Sequence, residues 1–328
     1  MLHPAAVLQS AQQAPRLPVV DHYCGTPQRM AKALALQVQL AAECGRTVMD
    51  VTLDCEDGAP VGGEAEHARM VCDLAVHHHH TTGLKAAARI HPCGHVAFES
   101  DIAALTPAFA HLAHVMVPKV ESVHDVARVA ALIPAPLALH VLIESAYAVS
   151  QVQAIAAHPR VASISFGLMD FVSSHNGAIP AVAMTLDAEH GQFAHPLVVQ
   201  AKLEISAACH AHAKVPSHCV VTEFKDPVTF AVAAKQAAQR LGYTRMWSIH
   251  PEQVRPLLAA FAPHSDDLAT ASALLPAAQA AHWAPISHHG VLHDRASYRY
   301  YWQVLQTANA TGAVLPAAVA HYFSQAGA

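Results

Sequence analysis

Short apolar runs recur along this chain, and between them the apolar positions fall at helical spacing. The runs at 18–23, 47–53, 84–90, 114–117, 138–143, 161–166, 218–222 and 245–249 predict strands. Helical patterns at 27–44, 64–76, from about 98, 121–132, 149–158, 196–213 and 226–241 separate them. Strand and helix alternating in this way predict a TIM (β/α)8 barrel over residues 1–262. Residues 263–328 read as a C-terminal helical extension. A doubly wound open sheet is the alternative, but no Gly-rich turn follows the first strand to support a dinucleotide fold. The stretch 126–143 is apolar, yet Arg128, Pro134, Pro136 and His140 interrupt it. It reads as a helix end, a loop and a strand rather than a membrane span.

Several of these strands stop at charged or polar residues. In chain order the ends carry Asp54, Glu56 and Asp57; Arg89; Lys119; Glu144; Asp170; Glu223 and Lys225; and Ser248 and His250. A barrel collects such ends on one rim, where its active site lies. Glu144 and Asp170 close successive strands, and neighbouring parallel strands lie about 4.8 Å apart. Two carboxylates so placed suit one Mg²⁺, which prefers oxygen ligands, and no histidine is expected among them. An arginine across the rim suits a substrate carboxylate or a developing enolate oxygen. Mixed charge at a barrel mouth also forms structural salt bridges, and any single residue here is open to that reading.

Composition narrows the partners. The chain is 53% apolar, 13% charged and carries a formal net charge of −5 with no basic block, which argues against nucleic acid. Residues 1–16 lack a basic, apolar leader pattern, so no signal peptide is read and a cytoplasmic protein is expected. Seven cysteines without paired spacing read as reduced thiols, and Cys55 as a packing residue. The run His77–His80 among 27 histidines reads as a solvated helix end.

Six segments in order resemble one family: VTLDCEDGAP (51–60), AARIHP (87–92), VMVPKVES (115–122), LIESA (142–146), ISFGLMDF (164–171) and SIHPEQV (248–254). They resemble the HpcH/HpaI aldolase and citrate lyase superfamily, within it the citrate lyase beta subunit-like branch that includes malyl-CoA and citramalyl-CoA lyases. The resemblance implies a TIM barrel, Mg²⁺ on Glu144 and Asp170, and Arg89 at the substrate. Asp54, Glu56 and Asp57 match the family's acidic motif, with Lys119 nearby as a further substrate contact. HGVLHDRASYR (289–299) resembles a segment that would make Asp294 the acid/base, delivered to a neighbouring subunit's site in a homo-oligomer, a trimer or a dimer of trimers. A helix N-cap is the plain alternative for Asp294.

Two departures bear on CoA. The first strand has His22 and Tyr23 where many relatives carry an Arg-Ser pair, and a polar loop at 173–195 stands where a shorter, more basic loop is usual. The expected function is therefore Mg²⁺-dependent carbon–carbon cleavage of a 3-hydroxyacyl-CoA such as malyl-CoA, citramalyl-CoA or a citryl thioester. The alternatives are a metal-dependent aldolase of a free hydroxy-oxo acid and a lyase subunit that needs an acyl-carrier partner.

Overall fold

The computed structural model describes residues 2–9 and 14–324. Eight parallel strands close into a barrel in chain order: β1 (Val20–Cys24), β2 (Met49–Asp54), β3 (Ala86–Arg89), β4 (Leu112–Val117), β5 (Ala138–Ile143), β6 (Val161–Phe166), β7 (Val215–His218) and β8 (Arg245–Ser248). β8 returns to pair with β1, with Val20 opposite Met246 and His22 opposite Ser248. The barrel lies within the compact unit Ala14–Ala260.

Local chemistry sets where its helices begin and end. Ser145 accepts the Ala148 amide at 3.0 Å and starts the helix Ala146–Ala157. Asp226 caps Pro227–Leu241 through the Val228 and Thr229 amides, and Gly242 ends that helix in the left-handed region. Both devices are ordinary solutions for unpaired helix-end groups. Residues 126–143 divide between the helix Val123–Leu132 and β5, and no helix among the described residues is long and apolar enough to cross a membrane.

Three expectations need correction. The seventh strand is Val215–His218, earlier than the apolar run at 218–222. Pro216 lies inside it and accepts the Thr244 amide through its carbonyl, so the strand's only lost ladder donor is proline's own. The run after it is irregular chain with Cys219 and Val221 buried, and the Val221 carbonyl accepts Gln253 Nε2 at 2.8 Å. The histidine run is not wholly solvated. His78 is buried and donates to Gln37 Oε1 at 2.8 Å, while Gln37 Nε2 donates to the Met49 and Lys85 carbonyls. Residues 4–8, assigned to the barrel stretch, form a short helix packed into the C-terminal unit.

That second unit, 1–13 with 261–328, has its own core. The helices Ser265–Ala280 and Arg295–Ala310 bury Leu274, Leu275, Trp302 and Leu305 together, with Leu8 and Val319 beside them. Between them a hairpin, β9 (Ile286–His288) and β10 (Val291–His293), turns at His289 (φ 49) and Gly290 (φ 78). Two positive φ values match a type I′ turn. The last long helix carries an apolar face with Tyr300, Tyr301, Trp302 and Leu305. Trp302 and Leu305 are covered within their own unit, while Tyr300 is 55% exposed.

The barrel interior is unusually polar. TIM barrels fill it with branched apolar side chains, but here Asp21, Thr52, His114, His140, Ser165 and Arg245 are buried. Arg245 Nη1 donates to Asp50 Oδ2 at 2.7 Å and to the Pro18 carbonyl at 2.6 Å, and Nη2 lies 3.0 Å from Asp21 Oδ2.

Candidate active site

Asp54 ends β2 with no exposed surface, and four donors converge on its carboxylate. Arg89, from the end of β3, donates Nε to Oδ1 at 2.6 Å and Nη2 to Oδ2 at 2.7 Å. The amides of Glu56 and Gly58 donate to the same two oxygens at 3.0 and 2.7 Å. One carboxylate therefore both fixes the acidic turn and clamps the arginine in a bidentate fork.

Arg89 is nearly spent by these contacts. Its Nη2 also donates to Tyr23 Oη at 2.9 Å, and Nη1 lies 3.1 Å from Glu56 Oε2. The Tyr23 ring lies 4.7 Å from the guanidinium carbon and stacks on Trp247 at 5.4 Å. Burial alone would lower the Arg89 pKa, but the bonds to Asp54 and the nearby charges raise it, so the guanidinium stays charged. Against five guanidinium N–H groups, these partners leave little capacity for a substrate. Its principal contacts are thus within the network.

Lys119 follows β4 and joins the two halves of the rim. Its ammonium donates to Glu56 Oε1 at 2.6 Å and Asp57 Oδ2 at 2.9 Å. Burial would lower its pKa, but these two carboxylates raise it. Its backbone amide donates to Glu144 Oε2 at 3.0 Å, and the residue holds φ 50. A non-glycine residue there stores strain of about 1–3 kcal/mol. The Lys119 side chain is 35% exposed, so its charge is offered to whatever enters.

Glu144 follows β5 and is 5% exposed. Its carboxyl is pushed up to about 8, first by burial and then by the negative charge of Asp170. Asp170 lies in the first turn of the short helix Leu168–Ser173 after β6. Gly167 opens the space between the strand ends: a Cβ there would overlap the Glu144 side chain. A buried carboxylate beside a second one is disfavoured until a cation neutralises the pair. The donor set therefore fits a divalent oxygen-seeking ion.

Beside this rim lies a cleft of about 460 Å³, lined among others by Glu56, Asp57, Lys119, His91 and His95. His91 Nδ1 lies 2.7 Å from Asp101 Oδ2, and its ring stacks on His95 at 4.3 Å, making one flat wall. Cys55 also lines the cleft, but it is buried, and burial followed by Asp101 and Asp54 raises its thiol well above the ordinary range.

The structure brings Asp54, Glu56, Asp57, Arg89 and Lys119 into one network, with Glu144 bonded to the Lys119 amide and its carboxyl raised by the charge of Asp170. Other rim residues serve structure. Glu223 Oε1 accepts the Lys225 and Asp226 amides, and Ser248 Oγ meets His22 Nδ1 at 3.0 Å. Asp294 lies in the second unit as the N-cap of Arg295–Ala310, accepting the Ala296 amide at 2.9 Å and the Ser297 amide at 3.4 Å. Tyr23 and Gly167 were not singled out as site residues. Tyr23 lies one residue before the end of β1, and its place near a strand end was its only signal.

Comparison with known proteins follows the same lines. A family model described as HpcH/HpaI aldolase/citrate lyase matches residues 33–251. A crystal structure of a citrate lyase from Burkholderia xenovorans LB400 is 46% identical, covers 98% of this chain and all of that one, and superposes with a TM-score of 0.81. The L-malyl-CoA/beta-methylmalyl-CoA lyase of Cereibacter sphaeroides is 32% identical over 186 residues, 52% of this chain and 58% of that protein's length. CitE from Mycobacterium tuberculosis, crystallised with magnesium, acetoacetate and coenzyme A, is 22% identical over 89% of this chain and 98% of that one, with a TM-score of 0.67, and shares the fold.

Proposed function

The chain belongs to the HpcH/HpaI aldolase/citrate lyase family, and from that premise we propose that it is a Mg²⁺-dependent carbon–carbon lyase acting on a 3-hydroxyacyl-CoA of the malyl-CoA type. The observation that carries this reading is the Glu144–Asp170 pair, with the Glu144 carboxyl pushed up to about 8 by burial and by Asp170. Such a pair is most stable around a dication. The ion itself would polarise the substrate's oxygens and orient its carboxylate.

The chain's own residues supply the rest. Lys119 presents a charged ammonium to an incoming carboxylate or to negative charge that develops during cleavage. Arg89, held by Asp54 and Tyr23, keeps the acidic turn in place. Cleavage takes the proton from the 3-hydroxyl, breaks the bond to the thioester's α-carbon, and leaves an oxo acid and a thioester enolate. The enolate carbon then accepts a proton, and condensation is the reverse.

Asp294 is our candidate for that proton, acting across subunits of a homotrimer. Support comes from its hairpin setting and from the exposed Val291 (57%) and Leu292 (74%) beside it. A mixture of Asp294→Asn and Glu144→Gln chains, each inactive alone, should regain activity when co-refolded. A mixture that stays inactive while wild type refolds normally removes the shared site.

The substrate test is direct. Purified protein with Mg²⁺ should cleave malyl-CoA or a close thioester, and chelation should abolish the reaction until Mg²⁺ is restored. Cleavage of free hydroxy-oxo acids with thioesters untouched would make the protein an aldolase. Failure on both, with Glu144→Gln binding Mg²⁺ as tightly as wild type, would refute the metal assignment.

A further inference from the structure

Inside the barrel, away from the rim, Asp21 of β1, His114 of β4 and His140 of β5 turn toward one another. All are buried, at 0%, 2% and 1% exposure. Each offers a ligand atom, and these atoms lie within 4.8 Å of one another. The open atoms are Asp21 Oδ2, His114 Nε2 and His140 Nδ1, and none has a hydrogen-bond partner. Oδ2 and Nδ1 are 3.3 Å apart, and the two imidazole rings are 5.3 Å apart. Buried polar atoms rarely go unpaired, so three facing one another call for an occupant.

The surrounding contacts aim these atoms. Thr52 Oγ1 donates to Asp21 Oδ1 at 2.7 Å, which leaves Oδ2 as the oxygen without a hydrogen bond. Ser165 Oγ meets His140 Nε2 at 2.7 Å, which leaves Nδ1 facing the cluster. Outer partners of this kind fix the orientation of metal-bound imidazoles and carboxylates. Burial drives both imidazoles toward the neutral form, His140 well below its ordinary value, so their nitrogen lone pairs are available. Burial alone would raise the Asp21 carboxyl, but the Arg245 charge and the Thr52 hydrogen bond hold it well below the ordinary range.

We propose that Asp21, His114 and His140 form a second cation site, specific for a transition-metal dication such as Zn²⁺. Two nitrogens and one oxygen suit Zn²⁺ or Co²⁺, whereas the all-carboxylate pair at the rim suits Mg²⁺. Arg245 is the competing charge, with Nη2 3.0 Å from Asp21 Oδ2. That contact lacks hydrogen-bond alignment, since both atoms remain unpartnered. Arg245 instead donates Nη1 to Asp50 at 2.7 Å. Asp21 and Asp50 against Arg245 leave one net negative charge to receive the ion. His140 precedes Glu144 by four positions on β5, which at about 3.3 Å per residue separates the two sites by about 13 Å. With all three ligands buried, the metal would enter as the barrel folds.

The test uses the full chain carrying Glu144→Gln and Asp170→Asn, so that the rim holds no ion. It is refolded with Co²⁺ or Zn²⁺, desalted, and its metal counted by mass spectrometry. We expect about one equivalent per chain, with Co²⁺ showing visible bands of nitrogen ligation, and at least a tenfold loss when His114→Gln or His140→Gln is added. Folding of each variant is checked by circular dichroism. Metal-free protein, or metal retained in both folded histidine variants, overturns the proposal. If the variants do not fold, wild-type crystals grown with Zn²⁺ decide: anomalous scattering within the cluster supports the site, and a peak without it means water alone.

Discussion

Coupling between Arg89 and Asp54 is the contact on which the rim depends most, and a double-mutant cycle measures it. Arg89→Lys keeps the charge but removes the planar fork. Of the four bonds to Asp54, those from the Glu56 and Gly58 amides survive, and the bidentate pair at 2.6 and 2.7 Å does not. One ammonium can restore a single bond at most. The net loss is thus one charge-assisted bond, about 1.5–3 kcal/mol. Asp54→Asn leaves a buried guanidinium without its counter-charge and should cost more, about 3–5 kcal/mol. Both changes strike the same contact, so the double variant should fall short of additivity by about 1–3 kcal/mol. Urea unfolding of the four proteins without Mg²⁺ gives the coupling, and initial rates with saturating Mg²⁺ give turnover. Arg89→Lys should lose at least about tenfold in turnover, because about 1.4 kcal/mol at the reacting centre is a factor of ten. A coupling below about 0.5 kcal/mol would refute the locked-fork description and return Arg89 to direct substrate binding.

Three further outcomes follow from the same geometry. Gly167→Ala places a Cβ on the Glu144 side chain and should weaken Mg²⁺ binding at least about tenfold in titration calorimetry while the barrel stays folded; unchanged affinity would remove Glu144 from the metal. Lys202 is buried, and burial lowers its pKa from 10.5 to about 8, so the unfolded chain binds more protons between those values. Stability should then rise with pH across that window relative to Lys202→Met, by about 3 kcal/mol at most, and parallel pH profiles for the two proteins would contradict the shift. Asp294→Asn should keep the helix cap and the melting temperature but lose activity, whereas Asp294→Ala should lose both; an active Asn variant makes the residue a cap alone.

Strands β5 and β6 lie where the pattern placed them, because each apolar run ends sharply at a charge or a glycine. β7 was displaced because Pro216 resembles a break and the apolar residues after it imitate a strand, although they form a loop whose Val221 is held by Gln253. The rim's membership was legible, since charges at strand ends must meet in a closed barrel. Its internal wiring was not. Nothing in the order of residues says that Arg89 spends its donors on Asp54 and Tyr23. His114 and His140 lie in separate strands far from Asp21 in sequence, and only closure of the barrel brings them against it. The partners of Trp302 and Leu305 were equally hidden, since they lie in the helix Ser265–Ala280 and at the far N-terminus.

Lys119 serves the rim twice, and the two services separate cleanly. Its amide tethers Glu144, which any residue but proline can do, while only its ammonium engages Glu56 and Asp57. Its left-handed backbone, φ 50, welcomes glycine or asparagine more readily than lysine. A lineage can therefore trade away the charge at this position in one step and keep the carboxylate frame standing. That makes position 119 a place where descendants of this barrel can explore new substrates without first losing their architecture.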